Sequence, residues 1–246
     1  MGRGQTKVFM EFVESVLFAR DKNSSPVRKA SFKLSHLDLH ERFVRVPLWV
    51  NKVMDLGASE LCLTFGGESG DLKYVSFVLL YCDLESKALV NLRIGRVYLI
   101  HHDGTFPDAV SQTLTTLFLD SVEFTYFKPG FEAILSAFPN LQNLRGLGHY
   151  VKKGWEVGWH LRLSLDDMYD ALSSSGVKVL QINGYEGTGE EVSHMERFLG
   201  TLPHLEMVRV THKGVDDGER RRLVNDLLCL PRASPKCKVQ VMKESA

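Results

Sequence analysis

Several clusters in this chain carry residue types that chemistry uses. His101-His102-Asp103 offers three metal-ligating side chains. A metal centre needs three or four converging ligands and groups behind them that orient the rings. Adjacent residues of one loop rarely face a common point, so a solvated turn is expected. Gly184-Tyr185-Glu186-Gly187-Thr188-Gly189 precedes an expected helix, where a phosphate could be cradled. Its glycines match neither the P-loop nor the dinucleotide-binding spacing, and Glu190 and Glu191 stand where the anion would sit. A turn is expected there, and equally at Gly66-Gly67-Glu68-Ser69-Gly70. Cys237 lies between Lys236 and Lys238, neighbours that would lower a thiol pKa and raise its reactivity. The alternation continued by Val239 and Val241 favours an inward strand position for it instead. Asp166-Asp167 and Asp216-Asp217 are adjacent carboxylates at helix starts, where capping accounts for them. Arg220-Arg221-Arg222 would point in different directions on a helix, offset by Asp216, Asp217 and Glu219, so no nucleic-acid patch is expected. Nucleophile-elbow, zinc-protease and deaminase signatures are absent. No catalytic, cofactor or metal residue is expected.

The elements around these clusters follow from spacing. Phe9, Phe12, Val13, Val16 and Leu17 mark one face of a first helix, ending before the turn cluster Asp21 to Pro26. Ala30, Phe32 and Leu34 alternate as a strand. A second helix is predicted over Glu41 to Leu56, with Val46, Val50, Val53 and Met54 inward and Gly57 as its stop. Pro47 is comfortable only in a first turn, which leaves the start of that helix open. Leucine-marked strands then recur at Leu61-Leu63, Leu92-Ile94, Leu117-Leu119, Leu144, Leu180-Ile182, Val208-Val210 and Val239-Val241. From Phe32 the steps are 29 (to Leu61), 31 (to Leu92), 25 (to Leu117), 27 (to Leu144), 36 (to Leu180), 28 (to Val208) and 31 (to Val239). Helices are predicted over Phe131 to Phe138, over Leu165 to Leu172, through Met195, Phe198, Leu199 and Leu202 up to Pro203, and through Leu223, Leu227, Leu228 and Leu230 up to Pro231.

Irregular repeats of strand and helix imply a solenoid, because each repeat buries its apolar side only against its neighbours. The expected fold class is α/β: one curved, largely parallel sheet with helices on the outer face. The segment Gly148 to Leu163, with Trp155 and Trp159, fits the period worst and reads as an inserted loop or a distorted repeat.

A chain of 246 residues, 44% of them apolar, can bury about 70–75% of its unfolded surface in one sizeable core. Thirty basic residues balance thirty acidic ones, so no global attraction to nucleic acid or anionic membrane arises. Cys62, Cys82, Cys229 and Cys237 form no C-x-x-C pair and read as reduced thiols. No apolar run is long enough to span a membrane, and no continuous apolar stretch precedes Glu11 as a signal peptide requires. The expected location is cytoplasmic or nuclear.

What remains is surface. Residues between the buried leucines point to the opposite, concave side of the sheet. They are Cys62, Thr64, Arg93, Phe118, Asp120, Gln181, Asn183, Arg209 and Thr211. This mixture of charge, amide and one aromatic suits a protein partner better than a lipid or nucleic acid; a merely solvated face is the equal alternative.

The phrase Leu230-Pro231-Arg232-Ala233-Ser234-Pro235-Lys236-Cys237-Lys238-Val239, following Leu202-Pro203-His204-Leu205-Glu206, closely resembles the FBD domain. That domain closes a large plant family of F-box proteins with leucine-rich repeats. Phe12 to Leu17 with Val27 to Leu34, then Trp49, Ala58 to Leu63 and Leu119 to Phe124, are similar to segments of the same family. The resemblance implies an irregular leucine-rich-repeat-like solenoid over residues 1–185 with an N-terminal capping helix, continued by an FBD domain over residues 186–246. It implies the substrate-binding part of a cullin-RING ubiquitin-ligase receptor, in which F-box helices grip a Skp-type adaptor and the repeats present a target. An F-box opens on a Leu-Pro pair and ends near Lys-Arg-Trp; no such run occurs in this sequence, so Skp-type adaptor binding is not expected. The expectation is a non-enzymatic monomer that binds an unidentified protein, not nucleic acid or membrane. The alternative is an enzyme with a pocket near Trp155 and Trp159, lined by His160, Asp166 and Tyr169.

Overall fold

The computed structural model describes residues 3–20, 26–34, 39–65, 76–77, 87–100, 111–125, 138–146, 173–212 and 216–243. Along the chain these form α1 (Arg3–Phe18), β1 (Lys29–Leu34), α2 (Leu39–Asp55), β2 (Glu60–Phe65), β3 (Ser76–Phe77), β4 (Asn91–Ile100), β5 (Thr116–Thr125), β6 (Asn143–Arg145), β7 (Val179–Ile182), α3 (Gly189–Thr201), β8 (Met207–His212), α4 (Asp217–Cys229) and β9 (Lys238–Lys243). The strands make one open sheet in the order β1-β2-β4-β5-β6-β7-β8-β9, with β3 beside the far end of β4. Every pairing among them is parallel.

A parallel sheet covered by helices on both faces reads as continuous apolar runs. Here the strands alternate instead, buried and half-buried in turn through β2 and β7. Among the described residues only one face is covered, and Leu61, Leu63, Leu92, Ile94, Leu117, Leu119, Leu144, Leu180, Ile182, Val208 and Val210 turn toward it. A further buried residue precedes the first strand leucine by three positions in six successive coils: Ala58, Leu89, Leu114, Leu141, Val177 and Leu205. That L-x-x-L-x-L frame is held by a backbone ladder at the N-terminal edge of the sheet. The carbonyl of Arg28 accepts from the amides of Ser59 and Glu60, that of Ser59 from Val90 and Asn91, and that of Val90 from Thr115 and Thr116. Thr115, Gln142 and Lys178 repeat the arrangement toward the next coil. The same turn thus recurs from coil to coil, as stacking of similar units requires.

Register follows the leucine markers with one exception. Leu61 lies beside Leu92, Leu92 beside Leu117, Leu117 beside Leu144, Leu144 beside Leu180, Leu180 beside Val208 and Val208 beside Val239. In β1, Phe32 lies beside Leu63 and Ala30 beside Leu61, so the expected step of 29 is 31. Ala30 is the true marker, its small side chain hidden by the larger Phe32. Phe32 and Val239, both in edge strands, are half-buried rather than enclosed.

The helices show where spacing misled. In α1, Met10 is buried with Val13 and Leu17 against the core, while Phe9, Phe12 and Val16 are exposed. The expected single face is therefore split. Phe9 meets Trp49 edge-on at 6.5 Å, and Phe32 stacks on the same indole at 6.1 Å. In α2, Val46, Trp49, Val50 and Val53 fill the core. Pro47 lies well inside the helix rather than in its first turn, where it removes one backbone donor. Gly57 (φ 81°) ends the turn after α2, its amide bonding the Met54 carbonyl at 2.9 Å. In α4, Leu223 and Leu227 are buried, but Leu228 is exposed and Leu230 half-buried; one residue past Leu227 is a hundred degrees around the helix.

β6 ends where the backbone leaves the extended conformation. Gly146 follows it with φ 85°, and a Cβ there would sit 2.1 Å from the Leu119 carbonyl oxygen. The predicted helices over 131–138 and 165–172 lie outside the described residues, apart from buried Phe138. The strands on either side of residue 186, β7 and β8, pair directly in the one sheet.

Candidate protein-binding face

On the uncovered side of the sheet, register builds a row that no single strand reveals. Cys62 lies beside Arg93, Arg93 beside Phe118, Phe118 beside Arg145, Arg145 beside Gln181, Gln181 beside Arg209, and Arg209 beside Gln240. Neighbouring strands are about 4.8 Å apart, so these side chains are in mutual reach.

The Arg93 guanidinium lies 4.2 Å from the centre of the Phe118 ring, and one of its nitrogens is 3.8 Å from an Asp120 carboxylate oxygen. Both charged side chains are about half exposed, so this pair contributes little to stability. Arg209 Nε donates to Gln240 Oε1 at 3.1 Å. Arg145 Nε is buried and has no acceptor among the described residues. Thr64 is half-buried, its Oγ1 3.9 Å from Cys62 Sγ.

Gln181, Asn183 and Thr211 form a second cluster. Gln181 Nε2 donates to Asn183 Oδ1 at 3.1 Å, and Thr211 Oγ1 lies 3.5 Å from the same oxygen. The amides of Gly184 and Tyr185 bond Thr211 Oγ1 and O at 3.2 and 2.7 Å. Thr211 is buried by this turn. Its expected place on the surface is corrected: the hydroxyl holds the loop after β7. Sequence reading missed Arg145 and Gln240. The same alternation carries them, between Leu144 and Gly146 and between Val239 and Val241, but β6 spans only three residues.

The chemical candidates resolve differently. Cys237 is buried just ahead of β9, and desolvation raises its thiol pKa against the opposing charge of Arg232. In the glycine-rich turn, Glu191 Oε2 accepts from the amides of Glu186 and Thr188, both at 3.0 Å, while its own amide bonds Thr188 Oγ1 at 3.3 Å. That capping box puts the chain's own carboxylate where an anion would bind. Asp216 caps α4 by accepting from the Glu219 amide at 2.8 Å. Arg222 reaches Asp226 at 3.0 Å, the Glu186 carbonyl at 3.3 Å and Glu219 at 2.9 Å. Its hydrogen bond to Glu219 holds that carboxyl below its ordinary pKa. Among the described residues no group of three His, Cys, Asp or Glu could hold a metal ion, and no helix is long and apolar enough to cross a membrane. His101, His102, Trp155, Trp159, His160, Asp166 and Tyr169 lie outside the described residues.

Sequence comparison finds similar proteins among plant F-box proteins. An F-box protein of Arabidopsis thaliana is 50% identical over 42% of the chain, and an F-box/LRR-repeat protein of the same plant is 38% identical over 42%. A second F-box/LRR-repeat protein is 29% identical over 83% of the chain. The chain is a homologue of plant F-box/LRR-repeat proteins. The chain spans 23% of the length of each of the first two relatives and 52% of the third. No family model matches it.

Proposed function

We propose that the chain is a non-enzymatic recognition module, the target-binding part of a ubiquitin-ligase receptor built as a leucine-rich-repeat solenoid. Residues 186–246 then form an FBD unit that continues the same sheet. The observation that carries this reading is the in-register row from Cys62 to Gln240 on the uncovered face. It combines stacked Arg93 and Phe118 with amides and further arginines across seven neighbouring strands. Arginine and aromatic side chains are those that anchor protein interfaces. The names of the homologues, F-box and F-box/LRR-repeat proteins, support a role in presenting proteins for ubiquitination.

The test is comparative capture. Full-length chain, a Phe118→Ala variant and an Arg220→Ala variant are immobilised and exposed to plant extract, and bound proteins are quantified by mass spectrometry. A partner retained by wild type and by the α4 variant but lost with Phe118→Ala is expected. A partner set indifferent to Phe118 would refute the assignment of this face.

A further inference from the structure

The open face carries more than generic stickiness. Arg93, Arg145 and Arg209 occupy every second position of one row, with Phe118 and Gln181 between them. Alternate strands of a sheet are about 9.4–9.8 Å apart, so the row presents guanidinium groups at that interval. The only carboxylate set against them among the described residues is Asp120, at 3.8 Å from Arg93. Arg145 Nε has no acceptor among the described residues, and Arg209 Nε has a neutral one, Gln240. A chain with net charge zero thus concentrates positive charge along one line of its uncovered face. Guanidinium forks bind carboxylates in bidentate pairs, and do so most strongly where water is partly excluded.

An extended polyproline-II segment repeats every three residues and rises about 9.3 Å in that distance. Its residues i, i+3 and i+6 line one side at the spacing of the arginines. We propose that this row binds an extended acidic segment of a partner protein, with a carboxylate at every third residue, one to each of Arg93, Arg145 and Arg209. The inference rests on the open face being the recognition face, as proposed above. Single-stranded nucleic acid fits less well, because it needs aromatic platforms for successive bases. The row offers one ring, Phe118, which the Arg93 guanidinium overlies at 4.2 Å.

The experiment uses the full chain and three dye-labelled probes in fluorescence anisotropy titrations. They are the nonapeptide (Glu-Pro-Pro)3, its (Gln-Pro-Pro)3 counterpart and a single-stranded oligonucleotide. The Glu peptide is expected to bind at least about tenfold more tightly than the Gln peptide, with an affinity that falls as salt rises. Arg145→Glu or Arg209→Glu should each weaken it at least about tenfold, whereas Arg220→Glu on exposed α4 should leave it unchanged. Arg209→Glu guards against a folding defect at the partly buried Arg145, and the circular dichroism of each variant is compared with wild type. No Glu-peptide binding at millimolar concentration overturns the inference, as does equal loss with Arg220→Glu or tighter binding of the oligonucleotide. Equal binding of the Gln peptide, abolished by Phe118→Ala, overturns the acidic preference but leaves the recognition face standing. If no peptide binds and captured partners are indifferent to both Phe118→Ala and Arg145→Glu, the recognition face falls too.

Discussion

Two adjacent substitutions test the one-sided sheet most directly. Leu119 is 1% exposed, beside Ile94 in register and in one cluster with Leu117. Truncating it to Ala removes three buried carbons and leaves a cavity that the close-packed coils cannot readily close. Such substitutions cost about 2–5 kcal/mol, a large part of the 5–15 kcal/mol typical of a whole domain. At roughly 2–4 °C per kcal/mol for a chain of this size, the melting midpoint of Leu119→Ala should fall by about 4–20 °C. Phe118 is larger but faces the other way, half-buried, with the Arg93 guanidinium over its ring. Phe118→Ala should lose about 0.5–1 kcal/mol of cation–π attraction and a modest part of its packing. Urea titrations followed by circular dichroism, with the same slope in both variants, give the two values side by side. Leu119→Ala should be the more damaging by about 2 kcal/mol. A Phe118→Ala cost equal to or greater than that of Leu119→Ala would refute the placement of the core on one face, and with it the open row.

Three further outcomes are expected. Gly146→Ala, with φ 85° and backbone 2.1 Å from the new methyl, should destabilise by more than the 1–2 kcal/mol of left-handed strain alone, read from the shift in urea midpoint. Thr188→Ala removes one half of the capping box at α3 and should cost about 1 kcal/mol, which Thr188→Ser should largely restore in the same titration. Exposed Cys229 should be alkylated by iodoacetamide at pH 8 while buried Cys237 resists until denaturant is added, as mass spectrometry of the labelled peptides would show. Because burial raises the Cys237 pKa, the stability it contributes is fully present below the unfolded thiol value, about 8.5. It is lost as pH rises through the folded value, so stability should decline on the alkaline side, and less so in Cys237→Ala.

The local signals in this chain were enough to specify its repeating unit. Alternation within four to six residues and a leucine recurring at unequal intervals need no tertiary knowledge, because each coil must set its leucine beside the previous one. Six of the strand registers follow from that demand alone. The first did not, since β1 is an edge strand in which the small Ala30 rather than the bulky Phe32 pairs with Leu61. Capping at Asp216 was equally legible, a side chain acting on its own helix. Tertiary structure decided how the side chains that those registers bring together interact. Arg93 and Arg145 are far apart in the chain, and Phe118 comes between them only because parallel pairing sets all three in one row. It also enclosed Thr211, which alternation assigns to the open face and the turn at Gly184 and Tyr185 covers. Periodicity reports which face a residue takes, whereas its neighbours on that face depend on register and on what the loops lay over it.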